Sequence, residues 1–415
     1  MPPAAHSVLG ASGAHRWLIC TPSARLGERL AQRFGEQESS YAKEGTKAHA
    51  LGELKIRHAV WRADKMSAAR HGKMSASERA IYPGINASRY KALREELGEI
   101  PEDMEHATDT YCDVVMEHLD AHKGGRLFLE QRVDYSLWVR GGFGTADCVI
   151  VSDELLEVID YKNGTGVPVS ALGNPQLRLY ALGATAAYGE LYDFKAVRYT
   201  IVQPHLNSVT SEDISLSDLL EWACAVVAPA AKLAYEGKGD FVPGSHCRFC
   251  AAKAVCAARA AESLKVFDYG LAGSGELSEQ QIADILPRLD DVEAWIKDLR
   301  AYTEDRALHG DCIPGFKLVR GKRPNRAWTD DEEVRAQLLR NGYGPEQFEE
   351  TKLRSVGVIE KTIGAKAFRA LLGGLVRQGE GRLQLVPESD PRPEYNSADA
   401  AFGDMTAETD DNKNP

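Results

Sequence analysis

The spacing of apolar residues changes character at about residue 125. Upstream, apolar Ala48, Leu51, Leu54 and Ile56 follow Ser39-Ser40 and Glu44, the hydroxyl and acid placement of a helix start. The segment to about Trp61 is expected to be mostly helical. Residues 62–105 are polar and broken by Pro83-Gly84 and Pro101, which predicts an insertion of short helices and loops. A further helix is expected over 105–123.

The period then shifts to two. Arg126 to Tyr135 alternates as a half-buried strand does, and Gly141-Gly142 makes a turn. Thr145–Val151 and Leu155–Tyr161 read as apolar strands, the second closed by Asn163-Gly164. Asn174-Pro175 opens a helix over Gln176–Tyr188, with proline near its first turn. Lys195–Val202 reads as the final strand. Such an order predicts an α/β core, a mixed central sheet flanked by helices. Helix resumes over Leu216–Tyr235. Beyond three clustered cysteines at 247–256, a long helix over roughly 277–308 is expected. A hairpin at Gly315–Trp328 and helices at Asp331–Asn341 and Ile359–Arg377 should follow. The expected divisions are 1–265, a mainly helical region 266–387, and a tail 388–415.

Composition adds limits. With 415 residues, 43% of them hydrophobic, the chain can bury sizeable cores. No apolar run is long enough to span a membrane, and Met1 to Arg16 lacks the charged start and apolar core of a signal peptide, so a cytoplasmic location is expected. The net charge of −11 does not suit a general nucleic-acid binder, but the field of a site is local. The tail contributes eight acids against Arg392 and Lys413 and reads as solvated and disordered.

Chemistry concentrates on two of the strands. Gly144-Thr-Ala-Asp147 and Asp160-Tyr161-Lys162-Asn-Gly164 each carry a carboxylate within apolar surroundings, where it is costly unless paired or metal-bound. Two such carboxylates on adjacent strands can hold one Mg²⁺ or Mn²⁺ through oxygen ligands. The period of two puts Asp160 and Lys162 on one face, where the lysine can orient water beside the metal. Upstream stands Gly45-Thr46-Lys47-Ala48-His49, and downstream Gln176-Leu-Arg-Leu-Tyr180.

In this order the four motifs resemble the RecB-like branch of the PD-(D/E)XK nucleases, which have a restriction-endonuclease-like core. The resemblance implies a metal-dependent deoxyribonuclease. His49, Asp147, Asp160 and the backbone carbonyl of Tyr161 would ligate the metal, and Lys162 would assist the attacking water. Gln176 and Tyr180 would shape the site or contact DNA, and Glu130 on the preceding strand would add an acid. The implied activity is exonucleolytic, on single-stranded DNA or ends. The rivals are a site-specific endonuclease and a non-catalytic DNA-binding or scaffold protein on the same fold.

Eight cysteines occur, of which Cys247, Cys250 and Cys256 form C-x2-C-x5-C. Three close thiolates need a fourth ligand, and spacing leaves zinc and iron–sulfur both open. The nucleases resembled include those with a four-cysteine cluster, such as the AddB nuclease domain, the Dna-two nuclease-helicase and the CRISPR adaptation nuclease. By that resemblance Cys20 is the fourth ligand of a [4Fe–4S] staple, over residues 1–265. Cys112, Cys148, Cys224 and Cys312 are expected to be buried small apolar residues.

No Gly-x4-Gly-Lys-Ser/Thr occurs, so any unwinding would come from a partner helicase or an already single-stranded substrate, including one presented by a single-strand-binding protein. Lys317, Arg320, Lys322, Arg323 and Arg326, flanked by Phe316 and Trp328, suit single-stranded DNA or a merely solvated hairpin. The layout is similar to phage-encoded RecB-like proteins, which implies a role in phage recombination, repair or replication.

Overall fold

A computed structural model describes residues 7–34, 40–64, 72–75, 82–266 and 275–317, with short stretches between 332 and 369. The chain divides into two compact units, Met1–Cys312 and Ile313–Pro415. In the first, α1 (Ala14–Trp17), α2 (Ser23–Phe34), α3 (Ser40–Ala63), α4 (Ala87–Glu96) and α5 (Glu102–Ala121) precede the sheet. Its strands are β1 (Arg126–Asp134), β2 (Phe143–Val151), β3 (Leu155–Tyr161), β4 (Ala196–Gln203) and β5 (Ser208–Ser215), with α6 (Pro175–Tyr188) between β3 and β4. Then come α7 (Leu216–Trp222), α8 (Ala228–Glu236), α9 (Ala257–Leu264) and α10 (Glu279–Leu308).

The sheet order is β1-β2-β3-β4-β5. β3 and β4 run parallel and the other neighbours antiparallel. A parallel pair needs a crossover, and α6 supplies it. One sheet face packs on α6 through Val149, Val158, Leu177 and Leu179. The other packs on α3 and α5 through Leu51, Ile56, Tyr111, Val115, Cys148 and Ile159. Burial on both faces explains why β2 and β3 read as apolar runs, whereas β1 alternates. This is the mixed α/β core that the periodicities predict.

Three boundaries differ from expectation. Lys195–Val202 is not the final strand: β5 follows after Asn207, which turns the chain at φ 50°. β5 is an edge strand whose sequence, Ser-Val-Thr-Ser-Glu-Asp-Ile-Ser, is too polar to announce itself. α5 begins at Glu102, directly behind Pro101, so the last residues of the expected insertion belong to that helix. Finally, residue 265 falls inside the first unit. There Asp298 of α10 accepts from Arg259 NH1 of α9 at 2.6 Å and pairs with Lys253 Nζ at 2.9 Å.

The long helix itself forms as its pattern predicts, opened by a Ser278–Gln281 capping box. In the second unit, α11 (Val356–Ile363) falls partly within the helix expected from Ile359. Most of the basic hairpin, much of the helix over 331–341 and the whole acidic tail lie outside the described residues. Among the described residues no helix is long and apolar enough to cross a membrane.

Candidate functional site

The register of β1 against β2 has one gap. Leu129 pairs with Cys148 and Gln131 with Ala146, leaving Glu130 opposite Asp147. Glu130 takes φ 47°, a left-handed conformation costly for a residue with a side chain. Such strain concentrates at functional sites. Facing carboxylates on neighbouring strands also repel.

His49 enters from α3, its Nδ1 3.3 Å from Asp147 Oδ1. One ligand atom from each of His49, Glu130 and Asp147 lies within 4.8 Å of the others, so the three can hold a metal ion. The imidazole is raised above its ordinary pKa: burial lowers it, but the hydrogen bond and charge of Asp147, with Asp160 and Glu130 beyond, outweigh that. Crowding by protein, with Asp147 facing it, pushes the Glu130 carboxyl up to about 7. A divalent cation would relieve this crowding of carboxylates. Glu130 lines a cleft of about 520 Å³ together with Gly45, Thr46, His49, Ala50 and Glu53. Glu53, one turn after His49, had gone unremarked; the i, i+4 spacing of His and Glu was its signal.

Asp160, expected among the ligands, lies outside that close group. It is 2% exposed, and its Oδ1 accepts from Gln176 Nε2 at 2.9 Å. Its Oδ2 pairs with the Lys162 ammonium at 2.8 Å. Lys162 Nζ also donates to Gln176 Oε1 at 3.2 Å, and Gln176 Nε2 reaches Tyr180 OH at 3.3 Å. Burial pushes the Asp160 carboxyl up while Lys162 pulls it back. Burial would lower Lys162, but contact with Asp160 holds it above its ordinary value and so keeps it charged. The backbone N–H of Tyr161 donates to Asp147 Oδ2 at 2.8 Å, linking the two carboxylate strands. The Tyr161 ring stacks on Tyr111 and meets His49 edge-on.

Two local features hold this arrangement. The Asn174 side chain caps α6 by accepting from the N–H groups of Gln176 and Leu177, which fixes where Gln176 starts. At Gly144 a Cβ would lie 2.6 Å from the Tyr180 ring, so the glycine of the Gly-x-x-Asp strand is what lets that ring approach.

The profile of a family described as "Protein of unknown function (DUF2800)" matches residues 6–393. This chain belongs to the DUF2800 family. Among solved structures it is similar to one described as "Crystal structure of SSO0001", at 15% identity and a TM-score of 0.22, over 56% of the DUF2800 chain and 93% of the other.

A second cluster of this DUF2800 protein lies apart from the carboxylates. Cys20, Cys247, Cys250 and Cys256 line one small cavity, together with Arg16, His246 and Phe241 among others. All four thiols are free; Cys20, Cys247 and Cys250 are buried. Short turns set their spacing: Cys250 N donates to Cys247 O at 3.0 Å, and Cys256 N to Ala252 O at 2.9 Å. Contacts of more than 200 residues' separation tie the Cys20 end to the later segment, with Thr21 Oγ1 on Lys238 O at 2.6 Å and Arg16 NH1 on Phe249 O at 3.1 Å. Burial raises the Cys250 thiol. Of the isolated cysteines, Cys112 and Cys148 are buried as expected, but Cys224 and Cys312 are exposed. Cys224 sits on an outward position of the π-turn before α8, and Cys312 closes the first unit.

Proposed function

We propose that this DUF2800 protein is a metal-dependent DNA nuclease of the RecB-like PD-(D/E)XK kind. The observation that carries the reading is the meeting of His49, Glu130 and Asp147 beside the buried Asp160–Lys162 pair. Three ligating side chains alone would suit many metalloproteins. An ammonium held charged next to them, and braced by a capped helix through Gln176, is suited to a phosphodiester and its attacking water.

Bound Mg²⁺ or Mn²⁺ would supply polarisation of the phosphate and a lowered pKa for water. The protein's own groups supply the rest. Asp147, anchored by the Tyr161 N–H, and His49 present donors at fixed positions. Asp160, paired with Lys162 beside this group, would be a further ligand. Lys162 donates to the water or to the phosphate oxygens, where negative charge develops. Gln176 keeps both side chains in register, and Tyr180 buttresses Gln176.

The thiols are the ligands of a [4Fe–4S] cluster that staples the N-terminal helices to the segment after the sheet. Cys20, Cys247, Cys250 and Cys256 all line one small cavity, which supports a shared centre, with zinc as the alternative occupant. The finer reading is exonucleolytic attack on single strands or ends, with unwinding left to a partner. Linear and closed circular single-stranded DNA, incubated with the full chain and Mn²⁺, test it. Degradation of the linear form alone is expected; equal loss of circles would make the protein an endonuclease.

A further inference from the structure

Arg16 belongs to neither motif set, yet it lines the cysteine cavity with all four thiols. It stands one turn before Cys20, and the Cys20 N–H donates to the Arg16 carbonyl at 2.8 Å. The two side chains therefore rise on the same side of the turn. The guanidinium is partly satisfied, NH1 donating to Phe249 O in the loop between Cys247 and Cys250. Its Nε–H, however, is buried and has no acceptor.

The other basic side chains around the cavity differ. Lys253 and Arg259 both pair with Asp298, at 2.9 and 2.6 Å. His246 Nε2 is engaged by the Val242 carbonyl at 2.8 Å. Arg16 has no carboxylate partner among the described residues. A buried guanidinium N–H without an acceptor is costly, and a fixed fork of donors suits an anion. Four thiolates around an iron–sulfur core make the centre anionic overall. Sulfur atoms of such a centre accept hydrogen bonds, and those bonds with nearby charge tune its potential.

We propose that Arg16 is the counter-ion and hydrogen-bond donor of the cysteine-ligated cluster, setting its reduction potential and its retention. The inference rests on the iron–sulfur reading of the cavity. Reduction adds negative charge, so a donor cation favours the reduced form. Removing it lowers the potential and exposes the thiolates to exchange. Arg16 is a positioning and tuning residue here; it takes no part in cleavage.

The test uses the full chain purified without air, as wild type, R16M and R16K. Iron and sulfide content, visible absorption, midpoint potential by dye-mediated titration, and the rate of bleaching by a chelator are measured, with thermal unfolding as a folding control. Wild type should carry iron and sulfide. R16M should assemble the cluster but show a lower potential and faster bleaching, with R16K between them, since lysine keeps the charge and loses the planar fork. A purely structural loss of the Phe249 contact would alter melting without moving the potential. An R16M protein with wild-type potential and bleaching overturns the role of Arg16. Should R16M fail to fold, R16K at the wild-type potential overturns it equally. Wild-type protein that binds zinc or no metal at all overturns the cluster reading itself, a result told apart by metal content before any variant is made.

Discussion

Replacing Glu130 by glutamine should make the metal-free protein more stable while weakening its hold on a cation. The two carboxylates face each other in the gap of the β1–β2 register, and the Glu130 carboxyl is pushed up to about 7 from an ordinary 4.5. That difference corresponds to about 3 kcal/mol in full. Glu130 is exposed on the cleft side, so solvent screening reduces the expected effect to about 1–2 kcal/mol. The sign follows from proton linkage. Between pH 4.5 and about 7 the folded state holds a proton that the unfolded state has lost, so stability falls as pH rises through this window. Denaturant unfolding in chelator should therefore show the variant ahead of wild type at pH 8, with the gap closing at pH 4.5. Both proteins keep the strained backbone at residue 130, so the comparison isolates charge. With Mn²⁺ at about a hundredfold above its dissociation constant, wild type should gain about 2.7 kcal/mol. The variant should lose most of that gain. Equal stability at pH 8 in chelator, together with equal stabilisation by Mn²⁺, would refute the facing-carboxylate argument.

Two further outcomes follow from buried contacts. Glu157 on β3 is fully buried and accepts from His118, His122 and Thr200, at 2.7, 2.8 and 2.7 Å, holding its pKa to about 2 although burial acts to raise it. Glu157→Gln should cost about 3 kcal/mol or more at pH 6, read by denaturant unfolding, and wild-type stability from this group should be lost as pH falls from about 4.5 toward 2; His118, raised by the same contact, gives up its share as pH rises past its folded value. Gly144→Ala forces its Cβ against the Tyr180 ring and should cost about 1–3 kcal/mol in melting experiments, with kcat falling more than KM rises because Gln176 loses its brace.

Much of this was legible along the chain, for identifiable reasons. β2 and β3 are largely buried and apolar, so the carboxylates at Asp147 and Asp160 stand out, whereas the buried Glu157 of β3 is explained only by its His118, His122 and Thr200 partners. Asn174-Pro175 marks the start of α6 within a residue because capping is local chemistry. What could not be read depends on tertiary setting. β5 needs no apolar face at the sheet edge, and nothing in Leu-Glu-Gln predicts the left-handed Glu130. Likewise Asp160 has the residue type of a ligand, but only the fold shows it held by Lys162 and Gln176, apart from the close His49–Glu130–Asp147 group. Arg16 carries no motif; its significance comes from an unsatisfied N–H beside cysteines more than 200 residues away.

The central claim is tested most directly by cleavage. The full chain, purified without air and carrying its iron, is incubated with end-labelled single- and double-stranded DNA and Mg²⁺ or Mn²⁺, beside Asp160→Ala. The account predicts cation-dependent degradation by wild type and none by the variant, with both proteins equally folded. An Asp160→Ala protein that cuts at the wild-type rate, or a cluster-bearing wild type that cuts neither substrate with either cation, would contradict it.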